Sequence, residues 1–472
     1  MFHDAREALR YIAGHDIAMV DLKVVSIAGQ WLHLTIPAAQ FTEKHFEEGI
    51  GYDGSAGSGF ASVESGDVVA RPEPGTAFVD PFWREPTLSF ICETVAADNR
   101  APFAHDPRTI ARRAVECLKQ ARVADAAMMA PEFEFHVFDR LSVRNGPYQT
   151  LVEIESHETA PDGTVARIGP RKGYLRLPPS DQLHNLRSEM AILLSAMHVP
   201  VTYHHHEVGA PGQCEIETEL APLVTAADRA MLIKYVVKNV ARKHGKIATF
   251  MPKPIYSEAG NGMHVHQKLD QQGTPLFFDK TGRNYASLSD LALQYVGGLL
   301  SHGRAVTALT NPSTNSFKRL VAGFEAPVNL FFSLANRSAA IRVPKYAVSP
   351  HAKRIEYRPP DFSGNVYLSL AALLMAGLDG ILQRTDVKEH AFGPYDVDVA
   401  AQPSEFRARV TPLPRTLYDA TLALEADHAF LTRGEVFPES FIHNWIAARR
   451  REESAEIACR PHPYEYELYL DV

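Results

Sequence analysis

Four segments of the chain carry a charged or imidazole side chain at every second position: Glu132-Phe-Glu134, His205-His-Glu207 with Glu215 just beyond, His264-Val-His266, and Arg354-Ile-Glu356-Tyr-Arg358. On a strand, alternate residues share a face. The polar members of each segment therefore point one way, and Phe133, Val265, Ile355 and Tyr357 the other. Half-buried strands ordinarily turn their charges to water. The run Ala-Pro-Glu-Phe-Glu-Phe-His-Val-Phe around Glu132 and Glu134 is too apolar for that reading, and a buried unpaired carboxylate is costly. These acids need cations.

The same pattern analysis divides the rest of the chain. An amphipathic period predicts a helix over 4–13, and alternation over 17–26 and 31–36 about Ala28-Gly29 predicts a strand hairpin. The glycine-rich stretch 49–59 reads as a loop with special backbone angles. A boundary falls near 98–106, where Asp106-Pro107 supplies a cap followed by proline at the first helical position. Beyond it, a strand over 128–138 alternates with helices near 181–197, 226–243 and 288–308, which makes the larger part mixed α and β. Residues 140–172 suggest an insertion or flap, and 385–415 have no clear period. No internal repeat is present.

A length of 472 residues favours two domains over one. The net charge of −8 lacks the basic surplus of a nucleic-acid binder. Cys92, Cys117, Cys214 and Cys459 are scattered without a C-x-x-C pair, as free thiols in a reducing compartment are. The first residues carry no apolar signal region, and the most hydrophobic helix, 367–382, is short for a bilayer and contains Asp379. The expectation is a soluble cytoplasmic protein that binds neither nucleic acid nor membrane.

Were the four segments to meet, Glu132, Glu134, Glu207, Glu215 and Glu356 with a histidine would form an oxygen-rich site suited to Mg²⁺ or Mn²⁺ rather than structural zinc. Such a set can hold two ions, and paired ions clamp a transferring phosphoryl group. Arg319, Arg337, Arg342, Arg354 and Arg358 crowd into one region among glycine and apolar residues. Guanidinium groups grip phosphate and carboxylate with two prongs. No phosphate loop and no dinucleotide G-x-G-x-x-G follows a strand, so a nucleotide would be held by metal and arginine.

The stretch Asn311-Pro-Ser-Thr-Asn-Ser-Phe-Lys-Arg-Leu-Val-Ala-Gly-Phe-Glu-Ala-Pro-Val328 resembles the ATP-associated signature of type I glutamine synthetases. Tyr52-Asp-Gly-Ser55, Ala130-Pro-Glu-Phe-Glu-Phe135, His204-His-His-Glu207, Gly262-Met-His-Val-His266, Asn336-Arg-Ser338 and the closing His462-Pro-Tyr-Glu-Tyr-Glu-Leu-Tyr469 match in order. The resemblance implies an α+β fold. A small N-terminal β-grasp-like domain would span 1–104, and a catalytic domain over 105–472 would build a curved antiparallel sheet, a half-barrel, backed by helices.

It also implies roles. Glu134, Glu207 and Glu215 look like ligands of one divalent ion; Glu132, His264 and Glu356 look like those of a second, which bridges the phosphates of ATP. His266, Arg342 and Arg354 would hold the nucleotide and Arg337 the transferring group. Arg319, Arg358 and the Gly260 backbone would hold glutamate. Asp53 and Glu325 would attract ammonium, Asp53 taking its proton and Glu325 closing as a flap. Members of the family are dodecamers of two six-membered rings in which Asp53 completes the cavity of an adjacent subunit and the carboxyl tail inserts into the opposite ring. Tyr395 lies where some members are adenylylated; here its surroundings favour a structural tyrosine.

The departures fall around these positions. Ala56 replaces a usual serine, Cys214 and Ala259 stand where asparagine is common, and Lys268 occupies a usual serine position. They bear on substrate choice more than on phosphoryl transfer. The leading expectation is ATP-dependent ligation of ammonia to glutamate. A γ-glutamyl ligase using methylamine, ethanolamine or a polyamine is the alternative, and a non-catalytic ring protein a more distant one. The presence of both Asp53 and Glu325 favours ammonia.

Overall fold

The computed structural model describes residues 2–56, 66–159 and 167–472. At the amino end, Met19–Val25 pairs antiparallel with Trp31–Pro37 and parallel with Thr87–Ala96. Thr87–Ala96 also pairs with Asp67–Pro72, which pairs in turn with Ile50–Asp53, and Phe78–Val79 completes a six-stranded sheet. The helix Ala5–Gly14 begins where the Asp4 carboxylate accepts the Glu7 N–H at 2.8 Å. Its Ala8 and Ile12 bury against Val20, Leu22 and Phe90, a core separate from the main one. This is the β-grasp half of an α+β fold.

One expectation changes here. Residues 50–53, read as part of a glycine-rich loop, form an edge strand. Ile50 and Tyr52 alternate inward onto the small core while Gly51 and Asp53 face out, so the period of two decides in spite of the glycines. Positions 57–59 of the expected loop lie outside the described residues. The expected flap is a hairpin, Arg140–Gly146 against Gln149–Glu155, and its 160–166 stretch also lies outside them.

The second sheet has ten strands. Its main path runs Val201–His206, Gln213–Thr218, Ala126–Phe138, Val265–Gln271, Ile355–Tyr357, Ala339–Val343 and Asn329–Leu334. Every neighbour on that path is antiparallel except the last pair. The sheet curls into a half-barrel backed by helices. Phe133, Phe135, Val265, Ile355 and Tyr357 point from it into one core with the helix Val366–Gln383. That helix starts where the Asn365 side chain accepts the N–H groups of Tyr367 and Leu368. It is apolar enough to cross a membrane by composition, but 78% of it is buried inside the protein. It packs so tightly on Asp290–Ser301 that a Cβ at Gly298 would sit 2.2 Å from the Ala376 carbonyl. All four cysteines are free.

The helix expected over 288–308 is two helices, Asp290–Ser301 and Gly303–Thr310. The break is at His302, whose ring is drawn to two carboxylates of other segments, Asp427 at 2.8 Å and Asp379 at 3.2 Å.

Candidate active site

Strand register assembles the cavity. Across antiparallel pairs His205 stands opposite Glu215, Glu215 opposite Glu134, and Glu217 opposite Glu132. On the other side of Ala126–Phe138, His266 stands opposite Glu356 and Glu356 opposite Arg342. Residues directly opposite share a face. The polar faces of these strands therefore close on one cavity of about 540 Å³, and the apolar faces make the core behind it.

Glu132, Glu134, Glu207, Glu215, His264 and Glu356 all line this cavity, as do Gly260, Arg319, Glu325, Arg337, Arg342 and Arg358. The His264 Nδ1 lies 2.8 Å from the Glu132 Oε2 and the His266 Nε2 lies 2.6 Å from the Oε1. Glu356 is gripped from both sides, accepting from Arg342 Nε at 2.5 Å and from Arg358. Glu134 accepts the Gly262 N–H at 2.5 Å, and Glu207 the Val208 N–H at 2.6 Å. Arg319 is buried and donates to the Pro359 and Pro360 carbonyls at 2.7 and 3.1 Å. Gly262 permits this approach, since a Cβ there would come within 2.4 Å of the guanidinium. Arg354 sits at the edge, its Nε 3.3 Å from His266 Nδ1 and its guanidinium over the Tyr346 ring.

Glu325 is exposed at the rim with φ of +59°, a left-handed conformation uncommon outside glycine. Arg337 is exposed, and its neighbour across the cavity is Tyr174. Asp53 does not line the cavity. It ends the edge strand of the small sheet, exposed, where its carboxylate accepts from the Ser55 N–H at 2.8 Å and hydroxyl at 2.6 Å. Tyr395 is likewise elsewhere, giving its hydroxyl to the Ala391 carbonyl at 2.7 Å.

The acids are more numerous than the cations beside them. Burial and the neighbouring Glu207 push Glu134 up to about 7. Burial, then Glu132, does the same for Glu217. Glu215 is also held well above the usual carboxylate range, by burial and by Glu132, Glu207 and Glu134 together. Glu132 goes the other way: burial opposes its charge, but His266 and His264 outweigh it. Glu356 is also held low, Arg358 overcoming the effect of burial. Burial and the Arg358 charge keep His264 neutral, at about 4, in the form a ligand needs.

A buried excess of carboxylates beside imidazole nitrogens is the donor set of a hard divalent cation. Among the described residues, three sets at this cavity hold ligand atoms within 4.8 Å of one another: Glu132, His266 and Glu356; His205, Glu207 and Glu215; Glu132, Glu215 and Glu217. The geometry sets His205 and His266, imidazoles of the alternating segments, beside the acids, and it adds a donor that the sequence reading does not single out, Glu217. Glu217 was within reach, because Glu215-Ile-Glu217 alternates as Glu132-Phe-Glu134 does. Tyr203, whose hydroxyl donates to Glu217, and Tyr346 had no signal in the pattern.

Known proteins resemble this chain along its whole length. The catalytic-domain model of glutamine synthetase matches residues 104–469, and its β-grasp domain model matches residues 16–97. A glutamine synthetase of Frankia alni is 43% identical, with all of both chains covered. The structure of Plasmodium falciparum glutamine synthetase superposes with a TM-score of 0.88 at 25% identity, covering 99% of each chain. GmaS in complex with ADP superposes with a TM-score of 0.81 at 26% identity, covering 98% of this chain and 99% of its own. Matching in both domains and along its whole length, the chain belongs to the glutamine synthetase family and is a ligase of that family.

Proposed function

We propose that the chain joins ammonia to the γ-carboxylate of L-glutamate, using ATP and passing through γ-glutamyl phosphate, to give glutamine, ADP and phosphate. The observation that carries this reading is the convergence of carboxylates, imidazoles and guanidiniums from separate strands on one cavity.

In this reading Glu134, Glu207 and Glu215 would hold one Mg²⁺ or Mn²⁺ and Glu132, His264 and Glu356 a second, with His205, His266 and Glu217 as further donors. When bound, the ions neutralise phosphate charge and polarise the phosphoryl oxygens. Arg342 and Arg354 would position the phosphates, with His266 beside them, and Arg337 would meet charge developing on the transferring group. The bound ADP of the structurally similar GmaS supports nucleotide binding to this fold. Arg319, Arg358 and the Gly260 backbone would orient glutamate, directing its γ-carboxylate toward ATP.

Ammonium is no nucleophile until it loses a proton, and paired carboxylates both attract it and accept that proton. Asp53 would take the proton and Glu325 would cover the acyl phosphate against water. Because Asp53 stands outside the cavity of its own chain, we assign it to the cavity of a neighbouring copy. A dodecamer of two hexameric rings would meet that need. Exposed Tyr464, Tyr466, Leu468 and Tyr469 on the helix Pro463–Tyr469 offer apolar surface for the opposite ring. We place the domain division near residue 104, just ahead of the Asp106 cap, and the protein in the cytoplasm.

A larger amine has one observation in its favour: Ala259 leaves only a methyl group at the cavity wall. The test is phosphate release by the purified chain with Mg²⁺ or Mn²⁺, ATP and glutamate, comparing ammonium with methylamine, ethanolamine and putrescine. Ammonium is expected to give the highest specificity constant. A much higher value for any amine overturns the choice of acceptor, and no release with any of them overturns the ligase mechanism.

A further inference from the structure

Away from the cavity, two imidazoles face a single carboxylate oxygen. The His428 Nε2 lies 2.8 Å from the Glu439 Oε1, and the His443 Nε2 lies 3.7 Å from the same atom. Glu439 and His443 are one helical turn apart on Glu439–Ala448, so they share a face. His428 comes from the loop that follows Leu417–Ala426. Its Nδ1 lies 3.1 Å from the carbonyls of both Leu424 and Glu425, which fixes the ring and leaves Nε2 toward Glu439. Ligating histidines are commonly oriented in this way, by a hydrogen bond from the other ring nitrogen. The nearby Glu425 carboxylate is taken up by Arg450 at 2.8 Å and is not counted as a ligand.

We propose that His428, Glu439 and His443 form a further metal site, outside the catalytic cavity, for a borderline divalent ion such as Zn²⁺. Two ligands about 2.1 Å from one zinc ion in tetrahedral array lie roughly 3.4 Å apart. The two nitrogen–oxygen distances bracket that value, and all three ligand atoms lie within 4.8 Å of one another. Two imidazoles and one carboxylate prefer Zn²⁺ to Mg²⁺, the reverse of the carboxylate-rich cavity. Water would fill the remaining positions, since Glu439 and His443 are exposed. The ion would join the loop at His428 to the last long helix before the carboxyl-terminal segment.

The test is equilibrium dialysis of the untagged full chain against Zn²⁺ with excess Mg²⁺ to fill the cavity. It is run on the wild type, on H428N/H443N and on the cavity variant E132A/E215A. One zinc per chain is expected in the wild type and the cavity variant, with at least a tenfold weaker affinity in H428N/H443N. Copper(II) electron spin resonance should show coupling to two nitrogens, lost in the same double variant. His443 is exposed and His428 half-buried, and ammonium-dependent turnover in H428N/H443N confirms its fold. Zinc retained by H428N/H443N but lost by E132A/E215A overturns the site, as does no zinc bound by any form.

Discussion

Glu134 and Glu215 stand directly opposite each other on neighbouring antiparallel strands, two acids where an ordinary sheet would place an acid and a base. Like charges in that position destabilise a sheet, and both carboxylates are held well above the usual acid range. Protonation relieves that repulsion at the cost of the charge, whereas a divalent ion between them would relieve it with both carboxylates ionised. Glu215→Gln removes one of the opposing charges and keeps the shape. In chelator its unfolding midpoint should exceed the wild type's, by up to about 1 kcal/mol in stability. In saturating Mn²⁺ the order should reverse, because an ion at a hundred times its dissociation constant adds about 2.7 kcal/mol to the form that binds it. Turnover should fall at least a hundredfold. Identical rankings with and without metal would show that Glu215 is not a ligand.

Asp53 and Glu132 lie on different sheets, and only Glu132 reaches the cavity of its own chain. If each cavity borrows Asp53 from a neighbour, D53N and E132A rings are both inactive for complementary reasons. Dissociating and reassembling the two together would then create mixed contacts in which one interface has both residues intact. Activity should return to roughly a quarter of wild type in an equimolar mixture, as random pairing requires. If the mixture stays as inactive as its parents while wild-type rings survive the same treatment, Asp53 acts within its own chain or not at all.

How far the sequence revealed this site depends on which information was local. Glu132, Glu134, His266 and Glu356 could be placed on one face because a period of two is readable residue by residue, and the register agrees with that face. Ile50–Asp53 was misjudged because glycines outweighed a two-residue alternation whose meaning comes from packing on Phe90 and its neighbours. The break at His302 could not be seen at all. It depends on Asp379 and Asp427, distant in the chain and brought close only by the fold. The position of Asp53 is the extreme case, since it ends a strand of the small sheet outside the cavity of its own chain, which no local period reveals.

Glu217 supplies a sharper check on the cavity. It stands opposite Glu132, accepts from the Tyr203 hydroxyl and is pushed up to about 7 by burial and by Glu132. Glu217→Gln preserves an acceptor for Tyr203 but removes a potential charge from the side of the cavity assigned to the second ion. The variant should fold normally and need on the order of tenfold more Mn²⁺ for half-maximal rate, a shift of about 1.4 kcal/mol. Tyr203→Phe, which keeps the charge, should move that value far less. An unchanged metal requirement in E217Q would remove Glu217 from the ion-binding set.

The His302 junction makes a prediction about stability rather than catalysis. Burial alone would favour a neutral ring, but its hydrogen bonds to the Asp379 and Asp427 carboxylates outweigh that and push the imidazolium up to about 9, well above the usual imidazole range. A group whose folded value is raised stabilises the protein fully below its unfolded value and loses that contribution as pH climbs through the folded one. The difference corresponds to on the order of 3 kcal/mol, less whatever solvent screening reaches Asp427, which is 42% exposed. Between about pH 6 and about pH 10 the wild type should therefore lose thermal stability relative to His302→Asn, which cannot carry the charge. The two helices that meet at His302 should loosen first, and hydrogen exchange at Leu300 and Val306 should quicken over the same range in the wild type only. Melting curves that fall in parallel for both proteins would mean that the ring is neutral in the native state and gives its single N–H to only one of the two aspartates.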